Sequence, residues 1–473
     1  MIDHLIKKYT ILIVIFLVAG AGTIKAQTYN ILDFKAVPGG KVLNTTAIQK
    51  AIDKCAANSG GTVLVPAGTF LTGMIRLKNN VELHLSPGAV LQSAITDKPY
   101  VSLVLIDDAV NVSVTGTGAL LGDGKKYDIN YNGLRPYLLF AKGSKRVKIE
   151  NIKLSQPSMW TMRLYRCEGV VVTGIDIYAH ANFNNDGIDI DSKDVIISGC
   201  TIDSGDDAIC LKSEDPTRLC ENITITNCVI ASTCNFIKMG TGSVSGFKNI
   251  TISNCVLKKP AESPLHNWKD PNGAFASDKQ DHFITDAITG LSGIALEVVD
   301  GGTMDQVSIS NISMTGVQTP IFIRLGSRSN PTGSLKNVMI SNVTATSSSR
   351  MCSIISGVPG FYIENITLRD MIMTSPGGGT AENAARIVPE NQTGYPENRM
   401  FGWSLPAYGL YVRHAKGIVL DNIRFNLQSK DSRSALWLED VKELSTNRLK
   451  PDIMGSSENW MKLVNVTDHN KNN

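Results

Sequence analysis

Carboxylates carry the acid and base work of many hydrolytic sites, and residues 184–213 place Asp186, Asp189, Asp191, Asp194, Asp206 and Asp207 in one short run. Like charges at close quarters raise one another's pKa, so a crowded set holds one group protonated while a neighbour stays ionised. Asp186 opens the phrase DGIDID and Asp207 opens DAICLK, with Asp206 one position earlier. Glycoside cleavage with inversion needs such a division: an acid for the leaving oxygen and a base for the attacking water. Three carboxylates are equally a calcium site, which would favour a lyase or a structural ion. In a straight strand Asp206 and Asp207 would face opposite ways. Both reach solvent only if the chain bends, and Gly205 supplies the freedom for it.

The elements that must hold these side chains are visible as a repeat. The phrases VKIENIKL, VVVTGIDI, VIISGCTI, ITITNCVI, ITISNCVL, VSISNISM, VMISNVTA, FYIENITL and IVLDNIRF each read as two short strands hinged on Asn or Gly. The hinges fall at 151, 174, 199, 227, 254, 311, 342, 365 and 422, in steps of 23, 25, 28, 27, 57, 31, 23 and 57. The two long steps read as double rungs with one hinge unmarked. Alternating strands at this period, with corner residues that tolerate left-handed backbone, predict an all-β solenoid whose coils share one core. Several hinge asparagines also sit in N-x-Ser/Thr sequons (Asn222, Asn249, Asn311, Asn342, Asn365), which a stacked turn ladder explains without a glycan. Residues 44–60 carry Ile48, Ala51, Ile52 and Cys55 at helical spacing before a glycine stop, which suits a helix capping the first coil. The glycines of residues 116–124 lack the helix and Lys-Ser/Thr ending of a phosphate loop and read as turn glycines.

Stacked coils allow side chains to be sorted by parity. Ile188, Ile209, Ile237 and Ile294 form one inward column, and Ile190, Leu211, Met239 and Leu296 the next. Between them one outward column reads Arg163, Asp189, Cys210, Lys238, Ala295 and Phe322; the other reads Tyr165, Asp191, Lys212, Gly240, Glu297 and Arg324. That strip offers Arg163, Tyr165, Asp189, Lys212, Lys238, Glu297 and Arg324 as substrate contacts. Its bland alternative is a solvated sheet face with cross-strand pairs such as Asp191 with Lys212. Asp194 belongs to a turn.

Composition bounds the rest. The chain has 473 residues, 42% hydrophobic and 19% charged, enough to bury a large core. Residues 1–26 run from Lys7 and Lys8 through a short apolar stretch to Ala26, the pattern of a cleaved secretion signal. This predicts a secreted or periplasmic protein with no membrane span in the mature form. Of the net charge of +3, +2 falls in that leader, leaving no basic field for nucleic acid. Nine cysteines are an odd number, and Cys200, Cys228 and Cys255 close near-identical phrases, so a stack of small buried residues is expected rather than a disulfide framework. No CxxC or His/Cys ligand spacing supports zinc, and no metal or other cofactor is expected.

At NNDGIDID, SGDDAICLKS and PSMWTMRLYRCEGVVV, the chain resembles glycoside hydrolase family 28, the polygalacturonases. The segments GGTVLVPAGTFLTGMIRLKNNVELHLSPGAVL and MFGWSLPAYGLYVRHAKGIVLDNIRF extend the likeness over most of the chain. The resemblance implies a single-stranded right-handed parallel β-helix over residues 27–473, with residues 27–80 as N-terminal cap and first coil and 426–473 as C-terminal cap. It implies Asp206 as general acid, Asp186 and Asp207 holding and activating water, and inversion at the anomeric carbon. The implied partner is an acidic, pectic polysaccharide of galacturonan or rhamnogalacturonan type, met by a monomer. Two motifs depart from the family. Cys234-Asn235-Phe236 stands where polygalacturonases carry Gly-His-Gly, and Ala295-Leu296-Glu297 where they carry the uronate-gripping Arg-Ile-Lys. His180 is a candidate replacement for the histidine. A β-eliminating lyase and a non-catalytic carbohydrate-binding solenoid remain the other readings.

Two segments are too long for ordinary connections. Residues 374–409 are expected to arch over one end of the cleft and favour attack at chain ends. Residues 259–283 could bring Trp268, His266 or Lys269 to a sugar.

Overall fold

The computed structural model describes residues 27–95, 99–127, 133–262, 288–328, 331–454 and 459–472. The proposed leader, and Trp268, His266 and Lys269, lie outside the described residues. The chain winds as a right-handed parallel β-helix in which each strand pairs in parallel with its equivalent one coil on. The predicted inward columns are observed: Ile188 pairs with Ile209, Ile209 with Ile237, Ile237 with Ile294 and Ile294 with Ile321. All of these isoleucines are completely buried, and truncating one of them to Ala would cost about 2–5 kcal/mol. The helix Thr45–Ala57 covers the first coils with Ile48, Ala51, Ile52 and Cys55 inward, as their spacing predicts. At the other end, strand Met461–Asn472 pairs with Ser434–Asn447, so the segment read as a C-terminal cap continues as coil strands. All nine cysteines are free. Cys200, Cys228 and Cys255 are buried, and each thiol donates to the carbonyl two residues before it.

Every predicted hinge has a left-handed backbone, with φ between 52° and 64°. Asn and Gly occupy these corners because most L-residues lose roughly 1–2 kcal/mol there. The asparagine side chains then stack: Asn311 Nδ2 donates to Asn254 Oδ1 at 2.9 Å and Asn342 Nδ2 to Asn311 Oδ1 at 3.0 Å. The same pattern engages the other sequon asparagines, Asn222 on Asp194, Asn249 on Asn222 and Asn365 on Asn337.

The ladder corrects the rung count. Asn254 and Asn311 are direct neighbours, so the step of 57 is one coil enlarged by an insertion, not two coils. Asn365 belongs to a second ladder. The true successor of Asn342 is Asp370, whose Oδ1 accepts from Asn422 Nδ2 at 2.7 Å, again across one enlarged coil. Repeated residue types mark corners, but two corners per coil use the same types, and only pairing tells them apart. Both enlargements precede strands of the same column, Gly290–Val298 and Ala407–Leu427.

Replacing Asn311 by Ala removes two ladder hydrogen bonds and strains a φ of 57°, so a loss of about 1–3 kcal/mol is expected. Denaturant unfolding checks this. Asn311→Gly should recover the backbone part and leave only the loss of the side-chain ladder.

Candidate active site

The aspartate trio sits where two adjacent coils turn into the strands Ile188–Ser198 and Ile209–Ser213. Nearest carboxylate oxygens of Asp186, Asp206 and Asp207 lie within 4.8 Å of one another. Main-chain bonds lock the turns together: Gly187 N donates to Asp207 O at 2.9 Å and Asp206 N to Asn185 O at 3.3 Å. Ser204 and Ser232 hydroxyls both donate to Asp206 O, at 2.7 and 2.6 Å. The expected bend is present at residues 205–206. Gly205 is needed there for closeness rather than for a left-handed φ, since a Cβ would stand 3.1 Å from Ala179 O. Gly187 is tighter still, with Ala208 O 2.3 Å from where its Cβ would be.

The three carboxyls do not titrate alike. Burial, then Asp189, Asp206 and Asp207, push Asp186 well above the ordinary range, and its buried Oδ1 has no hydrogen-bond partner. Burial and Asp207 raise Asp206 to about 6. Asp207 is more buried than the partly exposed Asp206, yet Lys238 and Lys212 outweigh that and hold it below the usual value. Its Oδ1 accepts from Asn235 Nδ2 at 2.7 Å and from Asn235 N at 3.2 Å, while Lys238 Nζ lies 3.0 Å from Oδ2. The trio therefore contains one firmly ionised member and two that retain protons into the weakly acidic range.

The predicted strip is observed in register, Arg163 beside Asp189 and Tyr165 beside Asp191, with Lys238 beside Ala295 and Glu297 beside Arg324. Its members differ in accessibility. Arg163 and Tyr165 stay partly open; the Arg163 guanidinium lies 4.9 Å from the Trp160 ring centre and 2.6 Å from Glu214. Lys212 pairs with Asp189 at 3.5 Å and lies over Trp160, whereas Asp191 accepts from Glu214 N at 2.9 Å. The anticipated Asp191–Lys212 pair is thus replaced: the parallel pairing of their two strands ends at Ile190 with Leu211, one residue before either of them. Burial raises Asp189 to about 7 and Asp191 to about 6.

Arg324 departs from the expected cleft wall. It is completely buried, and its guanidinium donates to the carbonyls of Gly357 and Asn391, each at 2.9 Å. Glu297 is also completely buried; neither oxygen has a hydrogen-bond partner, and burial raises it to about 8. Arg324 is held by the segment predicted to arch over the cleft, residues 374–409, through Glu390 O and Asn391 O, and Glu397 of the same segment faces Glu297. Arg413 donates to Val388 O and Pro389 O, and Phe401 sits between the guanidiniums of Arg324 and Arg413. Phe401 also packs on Ala295 and Phe322 of the outward column. The arch carries Tyr395 to within 5.7 Å of Lys238 Nζ.

Residues 55–267 match the model of Glycosyl hydrolases family 28.

The resemblance read from the motifs is therefore supported over that span. The chain is 30% identical over 220 residues to a Vitis vinifera protein described as "Probable polygalacturonase", covering 40% of this chain and 45% of that one. It is 26% identical over 238 residues to an exopolygalacturonase of Cochliobolus carbonum, 44% of this chain and 51% of that one. The chain spans about half the length of the curated relatives it matches. In fold it is similar to the crystal structure of a hyperthermoactive exopolygalacturonase from Thermotoga maritima, with TM-score 0.63, 20% identity, and coverage of 85% of this chain and 93% of that one.

Against the family-28 pattern, the two departures meet at one place. Asn235, from the segment replacing Gly-His-Gly, binds Asp207; Glu297, from the segment replacing Arg-Ile-Lys, lies 4.0 Å from the lysine that binds the other oxygen of Asp207. His180 does not replace the family histidine: it is buried and joined through Nε2 to Asp203 Oδ1 at 2.8 Å. Asn235, Trp160, Glu214, Asp203 and Tyr395 were not anticipated as site residues. An aspartate-seeking amide one coil on from Asp207 is a signal that alignment of the coils could have supplied for Asn235; Tyr395 lies in the arch and has no coil equivalent.

Glu297 also sets a stability prediction. A carboxyl raised from its ordinary value to about 8 favours the fold below pH 4.5 and loses that contribution as pH rises toward 8. Glu297→Gln should therefore gain melting temperature relative to the parent across that window. A difference that stays constant with pH would show Glu297 ionised throughout.

Proposed function

We propose that this chain is a secreted glycoside hydrolase that cleaves an acidic, pectic polysaccharide with inversion, acting as a monomer from chain ends. The observation that carries this reading is the carboxyl trio with its divided protonation, Asp186 and Asp207 buried and Asp206 partly exposed. Asp206, raised to about 6, is suited to protonate the leaving glycosidic oxygen. Asp207, held ionised, accepts the proton of the attacking water, and Asp186 helps hold that water. The nearest oxygens are closer than the roughly 6.5–9.5 Å usual between inverting carboxyl groups. The water would accordingly be shared by Asp186 and Asp207 at one side of the trio, with Asp206 facing the leaving group.

The family-28 match and the names of the relatives support the substrate class. Chain-end attack is supported by the arch, which rests on Ala295 and Phe322 and covers the strip beyond Lys238. The lyase reading needs a lysine or arginine that gives up its proton. Lys212 and Lys238 are instead pushed well above their ordinary value, despite burial, by neighbouring acidic groups. Oxygen ligands this close would also suit a divalent cation, which the hydrolase reading does not require.

Asp206→Asn should lower kcat by about 10²–10⁴-fold with the fold retained, on whichever pectic polymer the parent cleaves. The first product observed by proton NMR should have the inverted anomeric configuration; retention would refute the assignment of roles. Activity should survive chelator, yield no unsaturated product, and release short sugars from the outset with little early loss of viscosity. Since the acid must be protonated, kcat/KM should fall as pH rises above about 6.

A further inference from the structure

The ionised state of Asp207 is imposed from the next coil. Lys238 points outward from strand Asn235–Ser243, between the inward Ile237 and Met239, and is only 3% exposed. Its Nζ reaches back to Asp207 Oδ2 at 3.0 Å and forward to Glu297 Oε2 at 4.0 Å. The acidic groups crowding Asp207 are Asp206 beside it and Asp186 and Asp189 on the preceding coil. The Cys210 and Cys234 thiols also face it and are uncharged, both held well above their ordinary value by burial. Lys212 opposes that crowding from Asp207's own strand but is in ion contact with Asp189. Tyr395 closes the far side from the arch, and its hydroxyl is raised, so it too is neutral. Among the described residues, Lys238 is the cation in direct contact with the trio.

We propose that Lys238 is a positioning residue that assigns the base role to Asp207, with Glu297 as the rear wall that keeps its ammonium turned toward the trio. The lysine does not grip the substrate. Its ammonium is buried between two carboxyls, and neither Glu297 oxygen has any other polar partner. Removing Lys238 would leave three crowded acids with no cation in contact, so Asp207 would be driven toward its protonated form by the same burial that raises Asp186 and Asp206. In this chain, then, the two segments that depart from the polygalacturonase pattern act together: one binds Asp207, the other supports the cation that charges it. The proposal rests on the hydrolase reading for its kinetic readout only.

The test compares the parent with Lys238→Met and Lys238→Arg, each checked for a parental melting profile. Two quantities are measured: the pH dependence of kcat/KM, and the titration of ¹³C-carboxyl aspartate signals, with Asp207 identified by its absence in Asp207→Asn. Lys238→Met should move the acid limb of the profile upward by about one pH unit or more. At pH 5 it should lower kcat about tenfold with KM within about twofold, and Lys238→Arg should recover most of the loss. A folded Lys238→Met whose acid limb and Asp207 signal titrate as in the parent overturns the proposal. Should Lys238→Met fail to fold, Asn235→Ala, which removes the side-chain donor to Oδ1, must move both readouts the same way by less; no movement overturns it. If the parent cleaves no pectic polymer, the hydrolase reading fails separately, and the carboxyl titration alone decides the role of Lys238.

Discussion

Parallel pairing of each coil with the next is the constraint on which the site depends. Strands about 4.8 Å apart force residues at equivalent offsets into columns, so a side chain's neighbours are set by its place in the coil. Asp186 and Asp207 meet because both stand just before the same inward isoleucine column, Ile188 and Ile209. Lys238 and Glu297 reach them for the same reason, on the two coils that follow. A slip of one residue would turn each of these charges into the apolar core.

That geometry concentrates charge where water is scarce, and the structure tolerates it by unequal treatment of similar groups. Asp207 receives an amide, a backbone N–H and an ammonium; Asp186 has an oxygen with no partner. Burial pushes both carboxyls toward the protonated form; it prevails at the one that lacks donors and is outweighed by donors and cations at the other. Crowding alone would only have raised all three.

The arch shows a second use of buried charge. Arg324, Arg413 and Arg433 are almost or wholly inaccessible, and each donates to carbonyls of a segment with little regular structure of its own. Arg433 bridges Asp431, whose other bonds include Gly379 N, so the start of the arch is tied to the following coil. A long connection laid over an outward sheet face would leave its backbone unsatisfied without such donors. These arginines hold the wall of the cleft rather than its floor.

Much of this was written in local pattern. Period-two alternation marked the strands, left-handed corners called for Asn and Gly, helical spacing at Ile48, Ala51, Ile52 and Cys55 marked the cap, and the offset shared by Asp186 and Asp207 brought out the trio. These follow from backbone sterics and side-chain parity, which act over a few residues and are carried by residue type. Which corner Asn365 occupies, whether a step of 57 is one coil or two, and which aspartate Lys212 meets depended on pairing between distant strands. So did the fates of Glu297 and Arg324, outward by parity yet buried, because an arch from the coil beginning near Asp370 folds back over them. Parity states the face a side chain takes; only the packed structure decides whether water or another segment covers that face, and hence which carboxylate keeps its proton.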